Sequence, residues 1–449
     1  MRKEWDDIDQ DTLRRLDQEL DAASEMTPDQ IREMMGVNAK GNVSQSISNF
    51  TLALRGDPRL KGLIRYNEFT ERMEVSEKAF WYRDSPAFTD TDLAYIRQYL
   101  EDTYGLNSEK SLDSALRIAA NEHLYHPVRE YLESMQWDGK PRIRFLLHRF
   151  LGADTSDLTY MIMKTFLIGA IMRVFHKGCK FEYMLCLVGG QGIGKSSFFR
   201  LLAVKDEWYT DDLKKLDDEN VYRKLQGHWI IEMGEMIATA NAKSVEEIKS
   251  FLSRMSDVYK VPYDRYPKDR QRQCVFGGTT NMEQFLPLDR TGNRRFLPVL
   301  TDEIKMEVHI LEDEKASRAY IDQVWAEAMT LYRNGDYSLV FPKEASNALQ
   351  EQLREFMPED TKVGMIQAYL DQTDEPYVCT KLLYDKALRH EGMEPKAWEL
   401  REISEIMRHS IHGWKKTTQH RFRDYGRQIS YERIDGFRQL DAGEMTPFS

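Results

Sequence analysis

Cysteine is scarce: four residues in 449, Cys179, Cys186, Cys274 and Cys379, with no Cys-x-x-Cys pair among them. That scarcity excludes a disulfide-stapled scaffold and a cysteine-rich zinc site. Cys186 and Cys274 sit inside apolar runs, where cysteine acts as a small buried hydrophobe. No stretch approaches the ~20 uncharged apolar residues of a membrane span, so no membrane partner is expected. The opening residues, Met1-Arg2-Lys3-Glu4-Trp5-Asp6-Asp7, lack an apolar signal-peptide core, which makes the cytosol the expected compartment. Internal repeats and low-complexity tracts are also missing. Net positive charge is missing too: the balance is −11, which argues against indiscriminate nucleic-acid binding.

The average hides a segregated distribution. The first 36 residues carry eleven Asp and Glu against five Lys and Arg, whereas Arg408 to Arg438 carries eight Lys and Arg against three acids. With 41% apolar and 11% aromatic residues the chain can bury a sizeable core, and its length suits roughly three domains. Residues 1–110 read as short helices with a small strand pair around Leu63 to Val75, a region of unassigned role. Thr27-Pro28-Asp29-Gln30 has the pattern of a capped helix start. Residues 111–180 form a helical collar, broken at Pro127 and at the turn Trp137-Asp138-Gly139-Lys140, with an apolar buried helix from Leu158 to Phe175. Residues 181–335 alternate apolar runs with helices, the pattern of an α/β domain. Residues 358–449 form a small C-terminal domain.

One motif carries the chemistry. Tyr183 to Val188 is an apolar strand candidate; Gly189-Gly190-Gln191-Gly192-Ile193-Gly194-Lys195-Ser196 follows at once, and Ser197 onward continues as a helix. Gly-x4-Gly-Lys-Ser between a strand and a helix is a P-loop. Its glycines let backbone N–H groups converge on phosphate oxygens, and the helix N-terminus adds its positive end. Lys195 reaches the β- and γ-phosphates, while Ser196 joins the shell of a magnesium ion. The implied ligands are ATP or another nucleoside triphosphate and Mg2+.

Three later features complete a motor site. Gly227 to Glu235 is an apolar strand ending in acids, expected beside the P-loop strand so as to carry a carboxylate to the metal. Glu232 lies within that strand and Glu235 at its tip; Glu235 is favoured as facing the nucleotide, with Glu232 close behind. Next, Cys274 to Asn281 is a strand that places Asn281 at its end, able to sense the γ-phosphate or the lytic water. Last, Asp289-Arg290-Thr291-Gly292-Asn293-Arg294-Arg295 offers adjacent arginines suited to reaching a neighbouring subunit's nucleotide. Between the two strands, basic and aromatic residues interleave from Tyr259 to Arg272, and Lys260, Arg265, Lys268, Arg270 and Arg272 are candidate DNA contacts. The plain alternative is an exposed hairpin with solubilising charge. In the C-terminal domain, three helices (Val363 to Leu370, Lys381 to His390, Trp398 to His409) precede a basic segment and a strand pair. That order suits a winged helix, with Lys415, Lys416, Arg421 and Arg423 as candidate DNA contacts, or else a domain that binds protein.

With these residues placed, the chain resembles the virulence-associated protein E family of phage and pathogenicity-island proteins. These look like superfamily 3 helicases, a branch of the AAA+ ATPases. The likeness rests on His126-Pro127, Tyr131-Leu132, Trp137-Asp138-Gly139, the P-loop, Trp229 to Glu235, Ile248 to Leu252, Pro262-Tyr263, Gly278 to Asn281 and Thr291 to Pro298. It covers about 121–299. The resemblance implies an oligomeric, hexameric, DNA-translocating ATPase serving replication of a mobile element in a bacterial or phage-infected cell. The Lys260–Arg272 segment would then be a hairpin gripping single-stranded or forked DNA in the ring's channel. Replication proteins are further implied partners. The alternative reading is a nucleotide-switched binding protein that moves no DNA.

Overall fold

Three separate hydrophobic cores organise the chain. The computed structural model describes residues 26–213, 216, 221–234, 242–259, 268–288 and 293–434. The first core gathers apolar residues from Ile31 to Ala120, the second from Phe69 to Phe356, and the third from Ile366 to Tyr431.

The N-terminal unit begins at the helix Pro28–Met34. Its capping box forms as the sequence pattern predicts, with Thr27 N donating to Gln30 Oε1 at 2.8 Å and Gln30 N to Thr27 Oγ1 at 3.4 Å. Helices Ile47–Gly56, Asp90–Tyr104 and Glu109–Glu122 pack around a three-stranded sheet of order β2-β1-β3, made by β1 (Ile64–Asn67), β2 (Arg72–Val75) and β3 (Leu124–Tyr125). The expected boundary at residue 110 is therefore displaced. Leu112, Ala115, Leu116 and Ala119 on the Glu109–Glu122 helix belong to the N-terminal core, and β3 pairs with β1 in parallel.

The central unit holds a five-stranded parallel sheet: β4 (Met184–Val188), β5 (Tyr209–Thr210), β6 (Ile230–Glu232), β9 (Val275–Thr280) and β10 (Phe296–Leu300). Their order is β10-β4-β9-β6-β5, and each neighbouring pair is parallel. Helices cover both faces, which is why β4 is apolar and buried at every position rather than alternating. Helix Asp157–Phe175 is long and apolar enough to cross a membrane by length and composition, but 67% of that window is buried inside the protein. It shares one core with the sheet, so the predicted collar and motor are packed as one unit. Trp229 and Trp325 stack there with ring centroids 4.3 Å apart.

One topological expectation is corrected. The acid-bearing strand β6 does not lie beside β4, the strand ahead of the glycine-rich loop; β9 is inserted between them. A close fit makes room for the helix above: a Cβ on Gly277 of β9 would meet the Phe199 ring at 2.4 Å. Two further strands, β7 (Ser256–Tyr259) and β8 (Lys268–Gln271), form an antiparallel ladder apart from the main sheet.

The C-terminal unit runs helix Thr361–Gln372, β11 (Tyr377–Cys379), a helix from Thr380 that continues as a π-turn through Ala387, helix Ala397–His409, then β12 (Trp414–Phe422) and β13 (Gly426–Arg433). The sheet order is β11-β13-β12. The basic segment expected ahead of the hairpin is part of the hairpin itself.

Candidate nucleotide site

Strand periodicity places the site. Glu232 on β6 stands opposite Gly277 on β9, and Thr279, two residues on, stands opposite Leu187 on β4. Residues two apart share a sheet face, so Glu232, Gly277, Thr279 and Leu187 look the same way. Tyr209 on the edge strand β5 pairs with Ile230, which puts it on that face too. The helix Lys195–Leu202 crosses over this face and brings Ser196 down onto it.

The result is a buried carboxylate ringed by hydroxyls. Glu232 is 3% exposed; its Oε1 accepts from Ser196 Oγ at 2.7 Å and Thr279 Oγ1 at 2.5 Å, and its Oε2 accepts from the Tyr209 hydroxyl. Burial, and then the Glu232 charge, push the Tyr209 phenol well above its ordinary range, so it stays a donor.

The loop from β4 to the helix needs glycine for a steric reason at Gly189. A Cβ there would lie 2.2 Å from Thr301 Oγ1 and 2.8 Å from its carbonyl oxygen. Gly194, at φ +97°, turns the chain into the helix, and its Cα faces His309 and Ile310. Lys195 is buried and points back into the loop. Its Nζ donates to the carbonyl oxygens of Gly189 at 2.8 Å and Gly190 at 2.5 Å, and to Asn281 Oδ1 at 2.9 Å. Burial lowers the ammonium's pKa, and the nearby Glu232 charge acts the other way.

Lys195, Ser196, Glu232 and Asn281, all named from sequence, are thus gathered within one site. Gly190, Gln191, Gly192, Ile193 and Ser197 lie in the same loop and first helical turn. Glu235, the acid favoured from sequence, falls outside the described residues. Glu232, taken there as the acid behind it, accepts a hydrogen bond from Ser196. Tyr209 and Thr279 were missed as site residues. Tyr209 has no motif around it, and Thr279 reads as one more strand residue until the register is known.

Arg294 is 68% exposed, with Glu182 Oε1 at 3.7 Å. Arg295 is turned inward: its Nε donates to Ser253 Oγ at 3.0 Å and to Glu182 Oε2 at 3.3 Å.

Two of the expected DNA contacts are corrected. Arg272 is 3% exposed, and its guanidinium clamps Asp257 through Nε at 2.6 Å and Nη2 at 3.0 Å, while Nη1 donates to the Phe251 carbonyl at 2.6 Å. Arg270 is buried and ion-paired with Glu71 of the N-terminal unit. Both guanidiniums are spent on holding the β7–β8 ladder in place, so they are not free for phosphates. Lys260 and Arg265 lie outside the described residues, as does the Lys268 side chain. In the C-terminal hairpin, by contrast, Lys415, Lys416, Arg421 and Arg423 are all exposed.

Two solved structures similar to this chain are both apo A forms of the NrS-1 C-terminal region, one spanning its residues 305–718. Each is 13% identical to this chain and aligns over 83% of it and 96% of the other, with TM-scores of 0.43 and 0.46. No curated protein matches. The virulence-associated protein E-like domain model matches residues 132–358, and the chain belongs to that family.

Proposed function

We propose that this chain is an ATP-hydrolysing DNA helicase or translocase of the superfamily 3 type, acting in replication of a phage or mobile element. The observation that carries the reading is the 2.7 Å contact between Ser196 Oγ and the buried Glu232 carboxylate, beside a loop whose lysine is already turned inward. Hydroxyl and carboxylate oxygens are the hard donors magnesium takes. At Gly189 even one Cβ would collide with Thr301, so the loop there is bare backbone, the kind of surface whose N–H groups can meet phosphate oxygens. Lys195, Ser196 and Glu232 would hold the Mg2+ and triphosphate, which supply the scissile anhydride and a doubly charged counter-ion.

The protein's own residues then have separable tasks. Lys195 exchanges its carbonyl partners for phosphate oxygens. Asn281, at the end of the strand inserted between β4 and β6, orients the attacking water. Arg294, projecting into solvent, reaches the nucleotide of an adjacent subunit in a ring, and the exposed lysines and arginines of the β12–β13 hairpin hold DNA phosphates. The helix–strand–helix–helix–strand–strand order around that hairpin reads as a winged helix.

The test is ATP turnover with and without forked DNA, alongside strand separation, in wild type and Lys195→Ala. The expected result is DNA-stimulated turnover and unwinding that Lys195→Ala removes. Turnover indifferent to DNA, or unwinding that survives the substitution, would overturn the reading.

A further inference from the structure

The carboxylate at the centre of the site is held from two sides. On Oε1 it meets Ser196 and Thr279; on Oε2 it meets Tyr209, at the edge strand of the sheet. Tyr209 reaches that point by a compact route. The helix Lys195–Leu202 ends, the backbone reverses through Val204 at φ +72°, and the single turn Asp206–Trp208 delivers the chain into β5. Trp208 is buried beneath it, with Trp229 and Tyr131 packed edge-on, so the Tyr209 backbone is anchored by aromatic packing in the main core. Ser196 and Tyr209 therefore grip one carboxylate from the two ends of a single helix–turn–strand segment.

We infer that Tyr209 is a positioning residue for the metal–nucleotide site: its hydroxyl fixes the plane of the Glu232 carboxylate so that Oε1 always faces Ser196. This rests on the nucleotide-binding reading above. A carboxylate bound through only one oxygen can turn about its terminal torsion and interchange its two oxygens, because that torsion is broad and nearly two-fold. A hydroxyl on Oε2 removes that freedom. Magnesium gains most from the restriction, since it demands near-ideal octahedral geometry at about 2.1 Å and tolerates little wandering of its ligands. Thr279 cannot substitute, because it shares Oε1 with Ser196 and leaves Oε2 untouched. The Tyr209 ring stays in place in the phenylalanine variant, so the test removes one oxygen atom and little packing.

The experiment compares wild type, Tyr209→Phe and Thr279→Val. Mn2+ affinity is read by electron paramagnetic resonance with a non-hydrolysable ATP analogue, alongside turnover as a function of Mg2+. Loss of an outer-shell partner typically weakens metal affinity about 10–100-fold. Tyr209→Phe is expected to weaken Mn2+ by about tenfold or more and to lower kcat at limiting Mg2+. Excess Mg2+ should recover kcat, KM for the nucleotide should change less than about twofold, and the melting temperature should fall by no more than a few degrees. Mn2+ affinity equal to wild type would overturn the inference while leaving the nucleotide site standing. A wild-type chain that takes up neither nucleotide nor Mn2+ would overturn both.

Discussion

Lys195 Nζ donates to Asn281 Oδ1 across 2.9 Å, joining the lysine after the glycine-rich loop to the end of the strand inserted between β4 and β6. The same ammonium also donates to the carbonyl oxygens of Gly189 and Gly190. A hydrogen bond to a charged group contributes about 1.5–3 kcal/mol. Asn281→Ala should therefore lower the unfolding free energy by about 1–2 kcal/mol. Under the proposed function Lys195 exchanges that bond for a phosphate oxygen, so ADP should bind the variant as tightly as wild type or up to about tenfold tighter, while ATP turnover falls steeply. Calorimetric titration with ADP and steady-state turnover check the two halves. Weaker ADP binding would show that Asn281 supports the bound state instead.

The Arg272–Asp257 pair is structural, and its removal should appear as instability. Deleting one partner of a buried, bidentate pair leaves the other charge stranded, at a cost of about 3–5 kcal/mol. Urea unfolding of Arg272→Ala is expected to show a drop of that size, with folded material keeping the wild-type salt dependence of DNA binding. A stable variant with a shallower salt slope would restore Arg272 to the DNA contacts.

His126 predicts a pH-dependent joint between the N-terminal unit and the core. Its Nδ1 accepts the Arg129 N–H at 3.2 Å, so Nε2 carries the proton and donates to Gln273 Oε1 at 2.8 Å. Gln273 in turn donates to the Glu68 carbonyl at 3.1 Å. Burial, assisted by Arg129 and Lys177 and opposed by Gln273 and Glu68, holds the imidazole down at about 4 against an ordinary 6.5. The unfolded chain thus binds more protons between those values. Stability from this group is full above pH ~6.5 and falls as the pH drops towards ~4, by roughly 3 kcal/mol at most. Urea midpoints from pH 7 to 5 should fall in wild type and fall less in His126→Asn.

The C-terminal hairpin and the helix before it should behave differently towards DNA. Lys415, Lys416, Arg421 and Arg423 are exposed on or beside β12, whereas helix Ala397–His409 sets exposed Arg401 and Arg408 beside Glu405 and a Glu402 that is paired to Lys362. Each DNA phosphate that a variant no longer neutralises should reduce the salt slope of duplex binding by about 0.9. Replacing these four hairpin cations with alanine should lower the slope by about 3.6, and Arg401→Ala/Arg408→Ala should leave it nearly unchanged. Filter binding over a salt series measures both. Equal effects would mean that the helix also holds phosphates.

What the sequence alone determined is what depends on neighbours along the chain. The strand, glycine-rich loop and helix around Lys195 and Ser196 are legible because they follow one another within about 20 residues, and their spacing is local. The Thr27–Gln30 cap, the buried cysteines and the apolar β4 run were readable for the same reason: spacing and composition settle them before anything packs. Tertiary structure alone decided the rest. The partners of Glu232 come from the helix Lys195–Leu202, from β9 and from the edge strand β5, so Tyr209 carried no signal and Thr279 none that pointed to Glu232. Arg270 and Arg272 look like free cations in sequence, yet Glu71 and Asp257, brought from elsewhere, consume their charge. Strand order, burial and ion pairing are set by what lies across the core rather than by what comes next in the chain, and only the folded packing specifies them.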